Sequence, residues 1–123
     1  MIGAVHLNAD EIRKEIHKDL GFSTEDRIEH SRRMGVLCDI ILRSGVYVIA
    51  DFVCPTFETR KAFGRDYFLI WVGRNPCRDY PDTSAIFEPP YIFDLLVTEG
   101  GSPTVWAEIA AKLILSKQNN YDI

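Results

Sequence analysis

The stretch Asn8-Ala9-Asp10-Glu11-Ile12-Arg13 sets a carboxylate one helical turn ahead of a guanidinium. A carboxylate in the place of Asp10 can take a proton from a hydroxyl or help hold magnesium, and Arg13 can grip a phosphate or sulfate through two N–H bonds. The same residues also suit a plain helix start, because acids in a first turn complement the helix dipole. Downstream, FSTEDRIEHSRRMGVL (residues 22–37) gathers Arg27, Arg32 and Arg33, with Arg43 farther along, in a chain of net charge −4. Cations near a helix N-terminus work against its dipole, which points to an anionic ligand. Local pairing of Glu29 with Arg32 or Arg33 is the alternative, and such pairs contribute little.

Phe22 precedes Ser23, and its ring offers either a stacking face for a base or a hydrophobic staple for the helix that follows. Phe87, in a proline-rich loop, poses the same choice. His6, His17 and His30 lack metal-ligand spacing, so no metal site is expected. Cys54 ends an apolar run beside Pro55, a place open to a nucleophile. With no histidine close in sequence, a small buried thiol is the simpler expectation.

These residues need a scaffold. At 123 residues the chain is expected to be a single domain, and its 46% hydrophobic and 26% charged residues suit a soluble globular protein. The longest apolar run, Val46 to Ala50, is far too short to cross a bilayer, and no secretory signal follows Met1, so no membrane partner is expected. Cys38, Cys54 and Cys77 form no C-x-x-C pair, which favours a reducing cytoplasm over a disulfide framework or structural zinc. Net negative charge speaks against nucleic-acid binding.

Ala4 to Leu7 reads as a short strand. Asn8 or Asp10 then caps a helix to about Leu20, with Gly21 closing it. Ser23 and Asp26 form a capping-box-like start for a second helix. Met34, Leu37, Cys38, Ile41 and Leu42 make its buried stripe and Gly45 its end. Val46–Val53, Tyr67–Val72 and Phe93–Val97 read as strands, the first covered on both faces. Thr56 opens a short helix to about Phe63, residues 73–91 form a loop, and Ser102-Pro103 opens a terminal helix. This alternation predicts an α/β layer fold with a mainly parallel sheet, whose ligands bind beyond the carboxyl ends of the strands.

LNADEIRKEIHKDLGFSTEDRIEHSRRMGVL resembles the adenylyl-sulfate kinases, whose blocks read D-G-D-N-x-R and then D-L-G-F-s-x-x-D-R-x-E-N-I-R-R at the same separation. VYVIADFVCP is similar to the family strand that ends F-I-S-P, and DTSAIFEPPYIFDLLVTEG looks like its second aromatic loop and following strand. The resemblance implies a three-layer P-loop kinase fold that transfers the γ-phosphate of ATP, with Mg2+, to the 3′-hydroxyl of adenylyl sulfate. It implies that Asp10 assists that hydroxyl or the metal, and that Arg13 and Arg27 hold the phosphosulfate. Phe22 and Phe87 would sandwich the adenine. His30 stands where the family has a substrate-contacting asparagine, and Cys54-Pro55, where serine-proline is usual, would lie beside the substrate.

Departures accompany the match. Asn8 replaces the first family aspartate, and the lid shrinks to RNPCRDYP with Arg74 and Arg78 as its cations. No G-x-x-x-x-G-K-[ST] occurs in the 123 residues. The expectation is therefore the carboxyl-side part of such a kinase, without the N-terminal strand and P-loop that cradle ATP phosphates and so with little ATP binding of its own. Its expected partner is a small-molecule nucleotide, and a homodimer is allowed for. The alternatives are a related P-loop kinase for another small anionic acceptor, or a non-catalytic nucleotide-binding remnant.

Overall fold

Short β-branched and apolar runs pair side by side in one direction, and two helices connect the strands of the first pair. The structure, a computed structural model, describes residues 3–73, 85–98 and 100–121. These form two compact units, one from residues 3–65 and 85–89, the other from residues 66–73, 90–98 and 100–121. Both strand pairings are parallel, as the α/β reading requires.

The first unit runs β1 (Ala4–Asn8), α1 (Ala9–Glu15), α2 (Thr24–Leu42), β2 (Tyr47–Asp51) and α3 (Phe57–Phe63). β1 and β2 pair from Ala4↔Tyr47 to Asn8↔Asp51, so both strands end side by side just where α1 begins. Leu7, Ala9, Met34, Cys38 and Phe63 form the core, with Ile12, Leu37, Ile41, Val48, Ala50 and Phe52 packed around it. Met34 and Cys38 carry the predicted stripe of α2, and His30, Ser31 and Gly35 extend it. Leu42, expected on that stripe, is 48% exposed because the helix ends there and the chain turns away through Gly45 at φ 82°. Gly35 lets α2 and α3 approach: an added Cβ there would stand 2.4 Å from the Phe63 carbonyl oxygen.

Three predicted boundaries move. α1 ends at Glu15, not near Leu20, because the amides of Ile16 and His17 both bond the Ile12 carbonyl at 2.8 Å and turn the chain off the helix axis. Gly21 therefore caps nothing; its N–H donates to Asp26 Oδ2 (2.9 Å) and its carbonyl accepts from Arg13 Nη1 (2.8 Å). β2 is shorter than Val46–Val53 and is not covered on both faces. Val48 and Ala50 pack on the core while Ile49, between them, is 56% exposed. The helix starts at Ser23 and Thr56 stand as predicted: Ser23 Oγ accepts from Asp26 N–H at 3.1 Å, and Thr56 and Thr59 form a reciprocal capping box.

The second unit holds β3 (Ile70–Val72), β4 (Leu95–Val97) and α4 (Pro103–Tyr121). Its strands are shorter than the predicted runs because Asp94 Oδ2 takes the Leu69 N–H (2.6 Å), replacing a ladder bond with a side-chain one. Ser102 Oγ caps α4 by accepting from Val105 N–H at 3.2 Å. Trp71 meets Phe93 edge-on with centroids 5.4 Å apart, and Lys117 reaches Asp94 at 3.1 Å. No helix among the described residues is long and apolar enough to cross a membrane. Arg74, Cys77, Arg78 and Glu99 lie outside the described residues.

Candidate functional site

All eight site residues read from the sequence fall in the first unit: six beyond the carboxyl ends of β1 and β2 or on the helices that follow, Phe22 in the turn between α1 and α2, and Phe87 in the segment 85–89. Asn8, the last residue of β1, caps α1 with its side chain by accepting from Glu11 N–H at 3.1 Å. That cap places Asp10, exposed, in the first turn of α1, and Arg13 in the last. The turn after α1 then brings Phe22 back against Arg13.

The centre of the site is Phe22 with a guanidinium on either side of it in sequence. The Arg13 guanidinium lies 4.5 Å from the ring centroid and that of Arg27 5.3 Å. Each is fixed by a carbonyl: Arg13 Nη1 donates to Gly21 O at 2.8 Å, and Arg27 Nε donates to Phe22 O at 2.9 Å. Phe22 and Arg27 occupy the two positions a hydrophobic staple would use, so the staple is here a cation–π contact and the ring stays 58% exposed. Burial, and then the repulsion of Arg27, push the Arg13 guanidinium below its ordinary pKa, with Asp10 and Asp26 partly offsetting them. Two like charges held around one ring attract an anion that neutralises both, and an exposed aromatic face beside them suits a base.

The other arginines of the cluster are engaged locally. Arg33 forms a two-pronged pair with Asp19, both bonds at 2.9 Å, and Arg32 Nε binds Glu29 at 2.5 Å. The pairing alternative holds for these two, and they hold Glu29 and Asp19 below the usual carboxylate range.

His30 lies behind the cluster, 4% exposed, with its Nδ1 2.8 Å from the Nδ1 of His17, itself 3% exposed. One ring must donate the proton and the other accept it, so the two cannot both be charged. Burial lowers both rings, and the Arg13 charge is the next contribution at His30, whose pKa falls to about 4. His30 Nε2 is buried without a hydrogen-bond partner among the described residues, an atom that a bound polar group would satisfy.

Beyond β2, Cys54 takes φ 43°, a left-handed conformation uncommon outside glycine, and its Sγ lies 3.9 Å from Ser31 Oγ. Burial raises the thiol, against the opposing hydrogen bonds of Thr59 and Ser31, so it stays protonated at neutral pH. Pro55 is buried, and its carbonyl accepts from Glu88 N–H at 2.7 Å, which draws half-buried Phe87 to the start of α3. The Phe87 ring lies 5.5 Å from the Arg60 guanidinium.

Sequence reasoning passed over two residues. His17 carried no signal, since its partner is thirteen positions away. Arg60 shows only as a cation one turn into α3, yet its Nη2 donates to both the Pro55 and Glu88 carbonyls. Asn8 is committed to the α1 cap and to Asp51 at 3.4 Å, and no three His, Cys, Asp or Glu side chains cluster to hold a metal among the described residues.

Comparison with known proteins bears on this arrangement. The family model for adenylylsulphate kinase matches residues 2–69, more than half of the chain. The adenylyl-sulfate kinase of Clostridium kluyveri is 34% identical over 70 residues, 54% of this chain and 35% of that protein. That of Gloeothece citriformis is 42% identical over 55 residues, 45% of this chain and 31% of its own. The chain thus spans about a third of the length of these curated relatives. A solved structure of the Mycobacterium tuberculosis APS kinase in complex with AMPPNP and APS superposes with a TM-score of 0.79 at 23% identity, over 92% of this chain and 80% of that one. Such a likeness shows the P-loop kinase fold. The matched segment carries β1, α1, α2, β2 and α3, the elements that set out the arginine–phenylalanine cluster, and the chain belongs to the adenylylsulphate kinase family.

Proposed function

We propose that these 123 residues form, as one domain, the acceptor-nucleotide side of an adenylyl-sulfate-kinase-type phosphotransferase. The observation that carries this reading is the pair of guanidiniums, Arg13 and Arg27, pinned by carbonyls around the exposed Phe22 ring. A nucleotide whose 5′ end is a mixed phosphate–sulfate anhydride carries two negative charges beside a flat base. That is the pattern the cluster is built to meet. Asp10, exposed at the start of α1, is the carboxylate placed to orient or deprotonate a ribose hydroxyl. Phe87 supplies the second aromatic face, His30 a neutral floor with a free ring nitrogen, and Cys54-Pro55 the wall at the end of β2.

ATP and Mg2+ belong to the reaction that the family name describes, and no step through them is assigned to the residues of this site. In this reading those residues bind, orient and neutralise the acceptor, with Asp10 orienting its hydroxyl or taking the proton, and proximity and charge compensation lower the phosphoryl-transfer barrier. The test is an equilibrium titration of the chain with adenylyl sulfate, AMP and adenosine. The expected order of affinity is adenylyl sulfate first and adenosine last: AMP keeps most of the negative charge but lacks the sulfate that reaches the second guanidinium, and adenosine lacks both groups, at about tenfold per lost charge-assisted contact. Equal affinities across the series would overturn the reading.

A further inference from the structure

The Arg60 guanidinium lies between the two segments that meet at the proposed base site. Phe57 and Phe87 lie 5.3 Å and 5.5 Å from it, measured to the ring centroids. Its Nη2 donates to the carbonyls of both Pro55 (3.3 Å) and Glu88, while Nη1 is buried with no partner among the described residues. Two further bonds cross the same gap in opposite directions: Glu88 N–H donates to Pro55 O at 2.7 Å, and Phe57 N–H donates to Glu88 Oε1 at 3.1 Å. A buried, unsatisfied N–H on a guanidinium is costly to keep, and only the planar fork of arginine can serve two carbonyls and two ring faces together.

We infer that Arg60 is a positioning residue that clasps the Phe87–Glu88 segment onto Pro55 and the first turn of α3, so that the Phe87 ring is fixed before a nucleotide arrives. The inference rests on the reading of Phe87 as the second aromatic face of the acceptor site, and it assigns a role to a residue that does not itself touch the ligand. Fixing a stacking ring in advance removes its ordering cost from binding. The effect must therefore fall on ligands that carry a base. It must vanish when the ring is absent.

Two measurements on the full chain separate the clasp from the site reading. In hydrogen exchange, Arg60→Met is expected to speed the Glu88 amide by tenfold or more, on the order of one lost charge-assisted bond, and to leave the β1–β2 ladder amides unchanged. In titrations with adenosine and adenylyl sulfate, Arg60→Met is expected to weaken both by a common factor of about tenfold. Arg60→Lys should recover part of the loss, and Arg60→Met should cost nothing more in a Phe87→Ala background. Unchanged Glu88 exchange overturns the clasp whatever the ligand data show. Additive losses in the double variant show that Arg60 does not act through Phe87 and also overturn it. Fast Glu88 exchange with no effect of Phe87→Ala on binding leaves the clasp standing as structure, removes its role in binding, and overturns the base-site reading.

Discussion

Phe22 is exposed where an aromatic ring gains nothing from burial, and two cations crowd it where a helix start favours acids. Both costs fall at one spot, which is the mark of a binding surface rather than of packing. Arg27→Met keeps the stem over the ring and removes the charge. It is expected to weaken adenylyl sulfate by about tenfold to a hundredfold, the range for a charge-assisted bond, while adenosine binding changes little; equal losses for both ligands would show that Arg27 only supports the ring. The neutral His17–His30 pair makes a second prediction, in stability. Its rings take up protons near pH 6.5 when unfolded, but His30 in the folded chain does so only near 4. The stabilising difference is therefore full above about pH 6.5 and is lost as pH falls toward 4, by about 3 kcal/mol in all. Asp19, Glu29 and Asp39, held low by their arginine partners, lose their smaller contributions only near and below pH 4.5. Urea midpoints should hold between pH 7.5 and about 6.5, then fall steadily to pH 4.5, and fall much less in His30→Asn. A flat profile in the native sequence would refute the buried neutral pair.

Among the elements, helix starts were legible because a cap is local. Ser23, Thr56 and Ser102 each lie three residues ahead of the amide they cap. The end of α1 was not legible, since it is set by two amides converging on Ile12 and by His17 turning inward to His30, a contact that exists only after folding. Strand lengths failed for a similar reason: Asp94 takes a ladder donor from Leu69, which no apolar pattern displays. Gly35 shows how tightly the α2–α3 contact constrains sequence. Gly35→Ala must displace the Phe63 carbonyl or the Arg65 guanidinium that binds it, and with it the Arg65–Asp39 pair. A loss of about 2 kcal/mol or more is expected, read as a lower urea midpoint with an unchanged slope. No loss would mean the two helices sit farther apart than described.

For the molecule as a whole, the α/β class with parallel pairing was readable from the order of apolar runs and helices, and the family from a resemblance, whose D-L-G-F and D-R-x-E blocks fix Phe22 and Arg27 relative to Arg13. The physical arrangement of the site was not, because its bonds join residues far apart in the chain. Arg60 and Glu88 lie twenty-eight positions apart, and Ser31 and Cys54 twenty-three. The proposed site receives an anionic nucleotide at Phe22, while the 123 residues hold no glycine-rich G-K-[ST] loop for the phosphates of ATP. That contrast is the central claim, and one calorimetric comparison tests it: the chain titrated with adenylyl sulfate and, separately, with ATP and magnesium. Saturable adenylyl sulfate binding that weakens at least tenfold in Phe22→Ala, with no micromolar binding of ATP, is the predicted result. Micromolar ATP binding with no response to adenylyl sulfate would contradict it.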